Sequence, residues 1–199
     1  FSTNVEHVQL TLSAYFIGLA GGQLLYGPLA DRFGRRKPLL FGVLLFTVAS
    51  VICSMASSLE WLIAARFLQA LGGCAGIVIS RAVVRDLCDP LASAKAFSQL
   101  MLVMGVAPIL APAIGGMLLT QFGWQSIFIC LALFGALCGV AVALWLPETL
   151  PQDAPRSALP QAPSKYLEIL KDRQFVIHAL TGGLAIAGMF AYIAGSPFV

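Results

Sequence analysis

Charge is what this sequence has least of. Twelve basic and nine acidic residues are spread over 199 positions, 11% of the chain, where a soluble domain carries about a quarter. With 59% hydrophobic residues, the chain holds more apolar surface than one water-soluble core can hide, whereas lipid accepts it without penalty. Histidine is nearly absent. His7 and His178 both sit near the ends of apolar stretches, and neither HExxH nor GxSxG occurs, so nothing points to a membrane-embedded hydrolase. The five cysteines (Cys53, Cys74, Cys88, Cys130 and Cys138) show no CxxC or other metal-ligand spacing. They read as small packing residues with free thiols, and no metal site is expected. The net charge of +3 gives no support to nucleic-acid binding, because the basic residues are loop charges beside lipid headgroups. The chain also opens at Phe1 without an initiator methionine, a basic leader or a cleavage-site pattern, and is expected to be part of a longer protein.

What is present is a series of long apolar runs. Six stretches, 8–29, 38–55, 59–84, 94–119, 124–146 and 175–195, hold about twenty residues each, enough at ~1.5 Å per residue to cross a ~30 Å hydrocarbon layer as helices. An all-α integral membrane protein with six spans is expected. Segment 147–174 differs, with five prolines and eight charged residues. It reads as a linker between a five-span bundle (1–146) and a further span (175–199). Its end, 164–171, is expected to form a short interfacial helix with Ser164 as N-cap.

The basic residues are one-sided. Arg32, Arg35, Arg36 and Lys37 share one turn, Arg81, Arg85 and Lys95 flank another connection, and Arg156, Lys165, Lys171 and Arg173 flank a third. The opposite connections hold only Glu6, His7 and Glu60, so the basic loops are expected in the cytoplasm and Phe1 on the far side. The remaining cation, Arg66, lies within the third span, roughly 9 Å from its outer end. A guanidinium there either snorkels to the interface or faces a wet cavity or partner. Arg66, Gln69, Gly73, Gly76 and Ser80 recur at spacings of three and four, forming a narrow polar stripe that favours the cavity.

Two further patterns concern helix packing. Glycines recur four apart at Gly18/Gly22, Gly72/Gly76 and Gly135/Gly139, the spacing at which helices approach closely in lipid. In the fourth span Pro108 and Pro112 lie one turn apart, with Gly105, Gly115 and Gly116 around them. A doubled bend filled by a neighbouring helix is one expectation, and an ordinary kinked helix the other.

The run Gly27-Pro28-Leu29-Ala30-Asp31-Arg32-Phe33-Gly34-Arg35-Arg36 resembles the signature between the second and third helices of the major facilitator superfamily. Arg66-Phe67-Leu68-Gln69-Ala70 is similar to its fourth-helix Arg-x-x-Gln-Gly signature, with Ala70 in place of glycine. Ala111-Pro112-Ala113-Ile114-Gly115-Gly116 looks like its fifth-helix antiporter signature, again with an alanine for a glycine. The phrases around the first two runs resemble the drug–proton antiporters of the bicyclomycin-resistance (Bcr/CflA) branch. The resemblance implies that the six spans are helices two to seven of twelve, in a bacterial inner-membrane carrier that is monomeric when full length. It also implies a proton, and no other cofactor, as coupling agent, and efflux of small amphipathic drugs by alternating access; an uptake symporter on the same fold is the alternative. On that footing Tyr15, Gln23, Arg66 and Gln69 are expected to line the substrate cavity, since polar and aromatic groups in spans rarely face lipid. Gly27, Asp31, Gly34, Arg35 and Asp86 are expected to form a cytoplasmic latch. In it Arg35 pairs with Asp86, and Asp31 caps a helix of the other bundle. Pro108, Pro112, Gly115 and Gly116 would form the antiporter kink. No carboxylate lies inside any span, because Asp31, Glu60 and Asp86 all sit at ends. A coupling acid is therefore expected upstream of Phe1.

Overall fold

A computed structural model of the protein describes residues 5–150 and 162–195. Seven helices account for nearly all of them: α1 Val5–Phe33, α2 Arg36–Ser54, α3 Leu59–Leu87, α4 Pro90–Phe122, α5 Gln125–Trp145, α6 Ala162–Lys171 and α7 Arg173–Gly195. Each of the six expected spans is a helix, and most extend beyond the apolar run into flanking polar residues, because hydropathy marks the lipid-facing part and backbone hydrogen bonding continues past it. Among the described residues, α2, α3, α4 and α5 are long and apolar enough to cross a membrane. Helix α1 also has the length to cross, at 29 residues.

The helix ends follow local chemistry. Ser58 caps α3 by accepting from the Trp61 amide at 3.3 Å. Asp89 caps α4 by accepting from the Ala92 amide at 2.7 Å, with Pro90 supplying a preset first turn. Gly123, at φ +80°, ends α4 and turns the chain into α5.

The chain divides into two units, Phe1–Arg156 and Ser157–Val199, the division falling inside the segment read as a linker. The part of that segment at 151–161 lies outside the described residues. In the second unit α6 begins at Ala162, two residues before the expected N-cap, so Ser164 falls within its first turn.

In the first unit α3 is the central helix, packed along α1 and α2, with α5 packed along α2. One apolar cluster joins Tyr26, Ala30, Leu39, Cys74, Ala75, Ile79 and Val83, and a second joins Cys53, Leu62 and Ala65. Glycine makes the α2–α3 approach possible. A methyl group added at Gly72 would run into the backbone of Phe46 and of Gly42 across the seam. Gly18 and Gly22 meet α3 in the same way, and Gly135 meets Thr47 and Phe46 of α2, whereas Gly76 has open space before it.

Helix α4 is different. Its two internal prolines lie within one continuous 33-residue helix. Residues 107–114 are exposed, and nothing among the described residues approaches Gly105, Gly115 or Gly116. The expected filling of a bend by a neighbour is therefore absent from this unit, and α4 meets α3 and α5 only briefly.

The seam yields a paired test. Gly72→Ala is expected to destabilise the protein by about 1–3 kcal/mol through overpacking, read as a lower unfolding midpoint in detergent. Gly76→Ala is expected to leave the midpoint unchanged or slightly raised, since alanine favours a helix by up to about 1 kcal/mol over glycine where space is open.

Candidate functional site

Two polar centres stand out in the first unit, one inside the bundle and one at the basic turn. The inner centre is built on Arg66. Position 66 lies one turn from Gln69 on α3, which lets the guanidinium Nη1 donate to Gln69 Oε1 at 2.8 Å. Its plane is covered by aromatic faces from two other helices. The guanidinium carbon sits 4.3 Å from the Tyr15 ring centroid and 5.8 Å from that of Phe128, both within cation–π range. Arg66 is thus held inward between rings of α1 and α5, and the snorkelling alternative is set aside. Gln69 is completely buried, and its Nε2 donates to Ser50 Oγ on α2 at 2.7 Å.

Beside this cluster is an apolar cavity of about 250 Å³, lined by Tyr15, Phe46, Gly73, Gly76, Phe134 and Cys138 among others. The glycine part of the expected stripe provides its floor. Of the four residues assigned to a cavity, Tyr15 lines this one, Arg66 stacks on Tyr15, and Gln69 is a buried brace behind Arg66. Gln23 is exposed on α1, eight residues and therefore ~12 Å along the helix from Tyr15. The structure brings the first three together and leaves Gln23 apart.

The second centre surrounds Arg35. Its Nε donates to Asp86 Oδ2 at 2.9 Å, and its Nη1 donates to Asp31 Oδ1 at 2.6 Å. The Arg35 side chain is 11% exposed and that of Asp86 17%, against 48% for Asp31. Asp31 is therefore engaged by Arg35 within this chain, in addition to any role toward another helix. Burial works against the Arg35 charge, but the hydrogen bonds to Asp31 and Asp86 outweigh it and hold the guanidinium pKa above its ordinary value. Gly27 lies within α1, one turn before Asp31.

Glu148, just past α5, completes this centre and was not picked out from the sequence. Helix α2 begins without a side-chain cap of its own. Glu148 supplies one from a distance: its Oε1 accepts from the Arg35 amide at 2.6 Å and its Oε2 from the Arg36 amide at 3.2 Å. The amides of Thr149 and Leu150 also donate to Oε1, each at 3.1 Å. Arg36 Nη2 in turn donates to the Ala143 carbonyl at 2.5 Å, tying the turn to the last coil of α5. Burial would raise the Glu148 pKa, but these amides outweigh it and hold it below the usual carboxylate value. The capping is therefore complete above the ordinary carboxylate pKa and is lost as pH falls through the lowered one. Gly34 is required twice over, by its φ of +90° and because a methyl group there would overlap the Glu148 carboxylate.

Ser50 and Phe128 were also missed. A lone hydroxyl in an apolar span looks like Thr47 or Ser54 beside it, and one phenylalanine among thirteen carries no mark of facing a cation. Among the described residues no group of three or more His, Cys, Asp or Glu side chains is placed to hold a metal ion.

Comparison with known proteins gives a consistent picture. The family model described as Major Facilitator Superfamily matches residues 1–197. The chain is 43% identical over 201 residues to the uncharacterized MFS-type transporter YdgK of Bacillus subtilis, covering all of this chain and 50% of that protein. It is 36% identical to Multidrug resistance protein D of Escherichia coli, covering 94% and 48%. It is 31% identical to the Bicyclomycin resistance protein homolog of Haemophilus influenzae, covering 98% and 49%. The chain thus spans about half the length of these relatives. Its fold is similar to a crystal structure of the human organic anion transporter MFSD10 (TETRAN), with a TM-score of 0.64 and 22% identity over 82% of this chain and 39% of that one.

The Arg35 centre predicts an asymmetric rescue. Arg35→Asp or Asp86→Arg alone is expected to destabilise the protein by about 1–2 kcal/mol, measured by thermal unfolding in detergent. The exchange of both is expected to recover only part of that loss, because the acid introduced at position 35 faces Asp31. Adding Asp31→Asn should recover more.

Proposed function

The chain belongs to the major facilitator superfamily of multi-pass membrane transporters, and from that premise we propose that it forms the first-half portion of an exporter of small amphipathic drugs, driven by proton antiport. The observation that carries this reading is the Arg66 guanidinium held against Tyr15 at the edge of an apolar cavity inside the bundle. Aromatic and glycine surfaces accept apolar bodies of varied shape, while a fixed cation selects the polar end of a ligand or a coupling carboxylate. Relatives named for multidrug and bicyclomycin resistance support the substrate class. The localisation proposed is the bacterial inner membrane, with the basic turn cytoplasmic and the full-length protein acting as a monomer.

Transport on this reading is a rocking of two bundles about a central site. The Arg35–Asp86–Asp31 cluster would hold the cytoplasmic side shut when the far side is open. Half-exposed Asp31 retains an oxygen to meet the N-terminus of a helix in the other bundle. The proton-carrying acid is proposed upstream of Phe1, where it would answer Arg66. Drug and proton would then compete for the same electrostatic position, which is what couples them.

The test uses the full-length protein in everted membrane vesicles acidified by respiration. Adding a lipophilic drug is expected to release the internal acidity for an antiporter, whereas a symporter would give no such release under these conditions. Arg66→Ala is expected to lower the drug-driven signal by about tenfold or more, and Arg66→Lys should not restore it, because an ammonium cannot stack and hydrogen-bond as the planar guanidinium does. A drug-driven signal that survives both substitutions at wild-type strength overturns the assignment.

A further inference from the structure

We propose that Ser50 is a positioning residue for Arg66: its hydroxyl braces the far end of the Gln69 amide whose oxygen holds the guanidinium. Ser50 is completely buried on α2, and its Oγ lies 2.7 Å from the Phe46 carbonyl oxygen and 2.7 Å from Gln69 Nε2. A serine hydroxyl carries one hydrogen, and a carbonyl can only accept. With that hydrogen on Phe46, the Ser50 oxygen turns a lone pair toward the Gln69 amide nitrogen.

A glutamine amide has one donor end and one acceptor end. Ser50 accepts from the donor end, and the acceptor end, Oε1, takes the 2.8 Å hydrogen bond from Arg66 Nη1. The reversed amide would set two donors against each other at Arg66, which can only donate, so the guanidinium fixes the orientation of the amide and Ser50 holds its other end in place. Both Ser50 and Gln69 are completely buried, so water can neither relieve that clash nor replace the brace. Helix α2 thus anchors, through two side chains, the acceptor that holds Arg66 over Tyr15.

This inference rests on the reading of Arg66 as a transport residue, and the test separates the two. Purified full-length protein is treated with phenylglyoxal, and modification of Arg66 is followed by peptide mass spectrometry alongside transport. Ser50→Ala removes the brace behind the amide and is expected to raise the Arg66 labelling rate by about fivefold, the factor that one lost hydrogen bond supplies. Ser50→Thr keeps the hydroxyl and should label as wild type. On a Gln69→Leu background, Ser50→Ala should add nothing, because the path through the amide is already cut.

Labelling of Ser50→Ala at the wild-type rate overturns the proposal. So does full additivity with Gln69→Leu, or Ser50→Thr behaving as Ser50→Ala. Should Ser50→Ala fail to accumulate as folded protein, Ser50→Cys, close in volume with weak hydrogen bonds, takes its place in the same comparisons. Faster labelling with unchanged transport upholds the positioning and instead removes Arg66 from the transport reading.

Discussion

A cation within a lipid-embedded bundle has to be satisfied by protein, and the packing around Arg66 is organised by that requirement. Among the described residues the charge forms no ion pair with a carboxylate; it is met by an amide oxygen and by two ring faces. These partners come from α1, α3 and α5, and α2 braces the amide from behind. Four helices must therefore be in register for one side chain to be tolerated. The close α2–α3 seam at Gly42 and Gly72 brings Ser50 within reach of Gln69, so backbone approach and polar satisfaction depend on each other.

At the basic turn the same economy applies to backbone groups. The first amides of α2 have no local cap, and an acid 113 residues away provides it. Arg35 binds carboxylates on both α1 and α3 while its own amide binds Glu148. A single position thus joins three helices and the exit of a fourth element. The turn is more than a topogenic run of positive charge, because each of its interactions has a defined geometry.

The helices were legible because apolar runs of about twenty residues between charged turns have few other solutions. The pairing of Arg35 with Asp86 was expected on the strength of the family resemblance of the basic turn, which implies a cytoplasmic latch there. Gln69 was recognised as important but not as a brace, since sequence spacing identifies a face without saying which neighbour covers it. Gln23 was grouped with Tyr15 and Arg66 only because it is polar in an apolar span, and its place farther along α1 separates it. Glu148 was hidden by its setting in a proline-rich charged stretch, where a long-range cap looks like any solvated acid. The bend in α4 was inferred from proline alone, and proline says nothing about what stands opposite it.

The reach of Glu148 back to α2 also bears on how the molecule can be divided. A cut placed where α5 stops, at Trp145, would discard the acid and uncover the start of α2, although every long helix of the first unit would be kept. Keeping the chain through Leu150 retains the carboxylate and the two amides that orient it. The natural seam for excising or fusing the first unit therefore lies beyond α5, in residues that a hydropathy profile would assign to the tether.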